Sequence, residues 1–256
     1  MERTEVRIYK PENQGYGEFD NGKITEIKPI DFPGGTGAGK RIGPLFYWAW
    51  ASANGDGVIG MHPHQAFEIM SYGLEGEIGH SDSLNNKTRV GPGGAQLIQA
   101  GKGIYHQEEM YGERTDFFQI WFDPDLRETI THDPFYGQYE NDEFPVEETE
   151  SAKIKHVIGN DSPIRIVADV IADDVIIKSG KSISFQLSSN KTIAFNVISG
   201  IGAVCVDGES HNFNVKDYVN IFSDHENEIR IEAGDADLRI FKIVVPTQVE
   251  YKLYGE

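Results

Sequence analysis

The chain has 256 residues, 39% of them hydrophobic, and a mean hydropathy of −0.42, enough for one large core or two modest ones. No apolar run approaches the roughly 18 residues that a membrane helix needs, and 41 acidic against 23 basic residues leave a net charge of −18, a field that repels phosphate backbones and argues against direct nucleic-acid binding. No basic segment followed by an apolar one opens the chain, and the lone Cys205 can form no intrachain disulfide, so a cytoplasmic protein is expected.

In chain order, the first notable stretch is a decoy. Gly34-Gly35-Thr36-Gly37-Ala38-Gly39-Lys40 matches the opening of a phosphate-binding loop, but such a loop needs Ser or Thr next, a buried strand before it and a helix after it. Arg41 follows instead, with Asp31-Phe32-Pro33 before it and Pro44 beyond. No nucleotide site is expected there. The 28 glycines and 11 prolines punctuate short runs rich in Val, Ile, Phe and Tyr, which predicts an all-β chain with few helices.

Strands are predicted at Ala66–Leu74, Glu77–His80, Thr88–Val90, Gln96–Gln99, Ile104–Glu108 and Asp116–Phe122. Turn chemistry closes them at Glu75-Gly76, Asn85-Asn86, Pro92-Gly93-Gly94, Gly101-Lys102-Gly103 and Asp123-Pro124. From His132 to Glu150 the pattern dissolves into an acidic connection. Strands resume at Ile164–Val167, Ser182–Leu187, Thr192–Ile198, Gly202–Val206, Tyr218–Phe222, Ile229–Ile231 and Leu238–Val244. The expected domains are therefore 1–135, an acidic connection at 136–150, and 151–256. Phe195–Gly200 weakly echoes Ser71–Gly76, and the matching interval back from Gly200 falls near Gln186 and Ser188, which are poor metal ligands.

The chemistry concentrates in His62-Pro63-His64, Glu68 and His106-Gln107-Glu108. Residues two apart on a strand share a face, and Pro63 biases His62 toward an extended backbone. Side by side, two such strands bring three imidazoles and one carboxylate together. That donor set suits divalent Fe, Ni, Cu, Mn or Zn and leaves positions for water or substrate. Glu68 shares the parity of His62 and His64 and is a candidate for orienting a ligand. Aromatic residues Phe46, Tyr47, Trp48, Trp50, Phe117, Phe118, Trp121 and Phe122 flank these strands. Most are expected in the core, with a few lining a cavity for a flat substrate. Cys205 reads as a core packer, and His80, His132, His156, His211 and His225 as surface or satisfied polar residues.

The runs Met61–Glu68, Leu74-Glu75-Gly76-Glu77-Ile78-Gly79-His80-Ser81-Asp82-Ser83-Leu84, Gly91-Pro92-Gly93, Gln96, Ala100–Ile104 and His106-Gln107-Glu108 resemble the pirin family of bicupins. The resemblance covers about fifty residues in matching order. It implies two tandem cupin barrels (double-stranded β-helix, jelly-roll-like), with one metal in the first and a degenerate second. By the family pattern of His-x-His, a later His and a Glu two residues on, the implied ligands are His62, His64, His106 and Glu108. Where family members carry a single Glu-Met, this chain has Glu108-Glu109-Met110. Strand parity selects Glu108, and a bulge would select Glu109. Gln65-Ala66 stands where an Arg-Gly pair is common, and Leu97 where a Trp is common.

The resemblance further implies a metal-dependent dioxygenase that opens the central ring of a flavonol such as quercetin with O2, iron being the foremost metal and Glu108 the general base. The alternative it carries is a metal-dependent regulatory binding module that contacts a protein partner without catalysis. Neither reading calls for nucleic acid or a membrane.

Overall fold

The computed structural model describes residues 4–255. The strands are β1 (Thr4–Tyr9), β2 (Gly15–Phe19), β3 (Ile24–Ile30), β4 (Leu45–Asn54), β5 (Gly57–His64), β6 (Glu68–Asp82), β7 (Lys87–Val90), β8 (Ala95–Gln99), β9 (Ile104–Phe122) and β10 (Phe135–Tyr139), with one helical turn, α1, at Leu126–Thr129. They continue as β11 (Val146–Glu148), β12 (Ala152–Ile158), β13 (Ile171–Ile177), β14 (Ser182–Leu187), β15 (Lys191–Ser199), β16 (Gly202–Val206), β17 (Glu209–Phe213), β18 (Tyr218–Ser223), β19 (Asn227–Ala233) and β20 (Leu238–Pro246). The all-β class expected from the short Val- and Ile-rich runs is what the chain adopts.

Two compact units result, and each draws on more than one stretch of chain. Residues 13–143, 166–168 and 250–255 form the N-terminal unit, and residues 4–12, 144–165 and 169–249 the C-terminal unit. The chain is thus not cut at 135 and 150. Thr4–Tyr9 pairs antiparallel with β18, from Thr4 opposite Ser223 to Tyr9 opposite Tyr218. Phe135–Tyr139, placed at the edge of the acidic connection by sequence, pairs with β8 instead. Both are long-range pairings that local composition does not encode.

The N-terminal unit is a nine-stranded antiparallel sheet in the order β10-β8-β6-β9-β4-β3-β2, with β5 added to β9 and β7 to β6. Its two long strands, β6 and β9, pair with each other, and β6 runs through the expected turn at Glu75-Gly76. There the register passes from Glu75 opposite Asp116 to Glu77 opposite Tyr111, so the intervening residues of β9 face Gly76 in a bulge that bends both strands. Gly76 has φ +70, and a Cβ on it would lie 2.4 Å from the Arg114 carbonyl oxygen. Gly76→Ala is therefore expected to cost at least about 2 kcal/mol of unfolding free energy, from left-handed backbone strain plus the clash, measured by urea unfolding.

The glycine-rich stretch at 34–40 is a loop leading to β4, with no helix after it. A Cβ on Gly37 would lie 2.8 Å from the Gly15 backbone nitrogen, so close packing against β2 accounts for that glycine without a phosphate.

In the C-terminal unit, a seven-stranded sheet ordered β1-β18-β15-β20-β13-β12-β11 accompanies a four-stranded sheet ordered β14-β19-β16-β17. Phe195, Phe213, Leu187, Ile229, Ile231 and Ile240 are among its core residues. In the pair β14–β19, Phe185 stands opposite Ile229 and Leu187 opposite Asn227. The core-facing residues are thus Phe185 and Leu187, and Gln186 and Ser188 are exposed. The two positions reached by the interval back from Gly200 thus lie on the outward face, and the inward residues beside them are apolar. Cys205 is not a core packer: Val204 and Val206 are buried, while Cys205 alternates to the other face, half-buried beside the Ser210 hydroxyl. His156 is satisfied by Asp173 at 2.7 Å, and the second Asp173 oxygen takes Lys242 at 2.7 Å.

Ile164–Val167, predicted as a strand, is irregular. The N–H groups of Val167 and Ala168 donate to the Glu68 carboxylate at 2.6 and 2.9 Å rather than to a ladder. No helix among the described residues is long and apolar enough to cross a membrane.

Candidate metal centre

β5 and β9 pair so that His62 stands opposite His106 and His64 opposite Ile104. The three imidazoles of His62, His64 and His106 offer one nitrogen each within 4.8 Å of one another. Their ring centroids are 4.4 to 4.9 Å apart. The Nδ1 of His62 lies 2.8 Å from the Gly60 carbonyl oxygen. A carbonyl only accepts, so Nδ1 carries the proton and the Nε2 lone pair is left free, the arrangement typical of a metal-ligating histidine.

The Nε2 of His64 and both ring nitrogens of His106 are buried without a hydrogen-bond partner. Buried polar atoms are ordinarily paired, and each left alone costs about 1–3 kcal/mol. One such nitrogen from each of His64 and His106, together with the free Nε2 of His62, fits a transition-metal ion, which would satisfy one orphaned nitrogen on each buried ring.

Burial holds the imidazoles of His64 and His106 neutral. It lowers His64 to about 4, aided by neighbouring His62, and His106 to about 2, aided by His62, His64 and His80. Unfolded histidines take up a proton near pH 6.5, so without metal the folded chain binds fewer protons and loses stability as pH falls below that value, down through about 4 for His64 and about 2 for His106. His106→Gln removes one of these groups. Between pH 6 and 4 it is expected to flatten the pH dependence of unfolding free energy by ~1.4 kcal/mol per pH unit, read from urea melts of the metal-free protein.

Glu108 lies two residues beyond His106 and faces the interior with it. Its carboxylate is not within the cluster formed by the three imidazoles. Its Oε1 accepts from Gln119 Nε2 at 2.6 Å and from the Ser71 hydroxyl at 3.5 Å. Burial, reinforced by the charge of Glu26, raises Glu108 to about 7 against these two bonds. Glu109 points to the opposite face, accepting from Tyr111 Oη at 2.5 Å and Gln107 Nε2 at 3.0 Å. It stands away from the histidines because successive side chains on a strand alternate.

Glu68 does not orient a histidine. It is 1% exposed and is occupied by Val167 N–H, Ala168 N–H and Gln99 Nε2, so it anchors the 166–168 segment.

His80 is not the isolated residue that its spacing suggests. It stands opposite Glu108 across β6 and β9, and Asp82 stands opposite His106. His80 Nε2 lies 2.7 Å from Asp82 Oδ2, its ring stacks on Tyr136 at 3.9 Å, and it meets the His106 ring at 5.4 Å. The signal was present in the alternation Ile78, His80, Asp82 along one strand face.

An aromatic wall adjoins the histidines. Trp121 meets His64 edge-on at 4.6 Å and contacts Phe32, Phe46, Tyr47 and Phe67. Tyr254 joins the same wall through Phe46 and Phe67. Of the aromatics singled out in the sequence, Trp48, Phe117, Phe118 and Phe122 are fully buried in the core. Phe32 and Tyr254 were not anticipated, because they lie in a loop and the C-terminal segment, and Phe67, expected within the strand Ala66–Leu74, instead precedes β6.

Known proteins resemble this chain in sequence and in fold. Residues 49–122 match the Pirin family model. A pirin-like protein of Caulobacter vibrioides is 30% identical over 181 residues, covering 67% of this chain and 63% of its own length. The quercetin 2,3-dioxygenase of Escherichia coli K12 is 44% identical over 69 residues, covering 26% of this chain and 30% of its own. The chain thus spans 62–63% of the length of the first two curated relatives and 30% of the Escherichia coli one. Among solved structures, the bacterial pirin YhhW from Escherichia coli in complex with nickel(II) superposes with a TM-score of 0.77 at 22% identity, over 96% of this chain and 100% of that one. With its tandem cupin-type β units, the chain belongs to the pirin family.

Proposed function

We propose that this chain is a metal-dependent dioxygenase that opens the central ring of a flavonol such as quercetin with O2. The observation that carries the reading is the trio His62, His64 and His106, whose converging nitrogens sit beside a buried carboxylate and an aromatic wall. The Escherichia coli relative named quercetin 2,3-dioxygenase supports the substrate class. A bound divalent transition metal, iron in this reading, supplies a Lewis acid for the adjacent hydroxyl and carbonyl oxygens of the flavonol. His62, His64, His106 and Glu108 would hold it. Glu108, a buried carboxylate beside the position of the substrate hydroxyl in this reading, would accept the flavonol hydroxyl proton. Trp121, with Phe46 and Phe67 behind it, offers faces and edges for a flat ring system. Metal-loaded protein is expected to consume O2 with quercetin. Absence of uptake with Fe, Ni, Cu, Mn and Zn alike would overturn the assignment.

One observation favours a second reading, a metal-dependent regulatory module. Met61 and Tyr105 are 54% and 56% exposed on the ligand-bearing strands, where a partner could contact them, and the acidity of the chain would favour a basic one. Pull-downs from cell extract in both metal oxidation states are the test, and capture of nothing in either would dismiss this reading.

A further inference from the structure

Gln119 is 7% exposed inside the N-terminal unit, opposite Ser71 on β6 and Ala49 on β4. It lies eleven residues beyond Glu108 on the same strand, and the bend at Gly76 brings the two side chains together. Its amide bridges two groups of fixed polarity. Trp121 Nε1 donates to Gln119 Oε1 at 3.1 Å, and Gln119 Nε2 donates to Glu108 Oε1 at 2.6 Å. An indole N–H only donates, so it holds the amide oxygen toward Trp121 and thereby turns the NH2 toward Glu108. The polarity of the amide, ordinarily free to flip, is set from outside. Both hydrogen bonds to Glu108, from Gln119 and Ser71, fall on Oε1.

We infer that Gln119 is a positioning residue for the metal centre. It engages Oε1 of Glu108 so that Oε2 is the oxygen presented to the metal, and Trp121 locks the amide in the orientation that does this. The inference rests on the metal-centre reading above, with Glu108 as the oxygen ligand. Outer partners of this kind typically change metal affinity by 10–100-fold when removed.

The test is nickel binding by metal-stripped protein, with the visible absorption of the Co2+-loaded form as a second readout. Gln119→Leu is expected to raise the Kd for Ni2+ by about 10–100-fold and to move the Co2+ spectrum toward that of Glu108→Gln. Trp121→Phe keeps a ring against His64 but frees the amide to flip, and it is expected to shift both readouts in the same direction by a smaller amount. In a Glu108→Gln background, Gln119→Leu is expected to change the Ni2+ Kd by less than about twofold, because coupled residues are non-additive. An unchanged Kd and spectrum in Gln119→Leu, or additive effects in the double variant, would overturn the assignment while leaving the metal centre intact. Wild-type protein that binds neither Ni2+ nor Co2+ would overturn the metal centre itself.

Discussion

His106→Ala is expected to weaken metal binding by more than about 100-fold, beyond the range set by outer-shell partners, and to abolish O2 uptake with quercetin. His106 is 1% exposed, and its ring sits 4.4 Å from that of His62 and 4.9 Å from that of His64. Removing it leaves two imidazoles and an open side. The metal-free fold should tolerate the change, because the side chain that is lost carries two nitrogens with no protein partner. Thermal melts separate the effects. A ligand at 100 times its Kd stabilises a protein by about 2.7 kcal/mol, so Ni2+ is expected to raise the Tm of the wild type but not of His106→Ala. His62→Ala should behave in the same direction.

Glu68→Ala acts on stability instead. Its carboxylate accepts three hydrogen bonds, from Val167 N–H, Ala168 N–H and Gln99 Nε2, at 2.6 to 2.9 Å. Truncation leaves two backbone donors and an amide without their acceptor, and each such loss costs about 1–3 kcal/mol. The expected loss is about 3–5 kcal/mol of unfolding free energy, in the range found when one partner of a buried charged network is removed. Glu68→Gln, which keeps one acceptor oxygen, should lose about half as much. Urea unfolding measures both. The Ni2+ Kd of Glu68→Ala is expected to stay at the wild-type value, since none of its bonds reaches His62, His64 or His106. A change in that Kd would return Glu68 to the role of orienting a ligand.

The parts of the site that were legible in the sequence are those written in short-range alternation. His62 and His64 share a face because they are two residues apart, and Glu108 joins His106 for the same reason, so the trio and its acid could be nominated from spacing. His80 escaped because its neighbours in the site lie across strands, at Glu108 and His106, rather than along its own. Gln119 escaped for a related reason: only the bulge opposite Gly76 carries it to Glu108. The strand misread at Ile164–Val167 was apolar enough to qualify, but its backbone donors are spent on Glu68, nearly a hundred residues earlier in the chain. Phe32, Phe67 and Tyr254 sit outside any strand and became part of the aromatic wall through tertiary contacts alone.

By itself, then, the amino-acid sequence determined the all-β class, the pirin-like motif and the identity of the three histidines, because period-two alternation and turn chemistry are local properties of the chain. The tertiary structure decided which chain segments make up each unit, that Glu109 faces away, that Glu68 is an anchor, and that Gln119 and His80 stand beside the candidate centre. Those outcomes depend on strand register and on hydrogen bonds between distant residues, which are set only when the sheet closes.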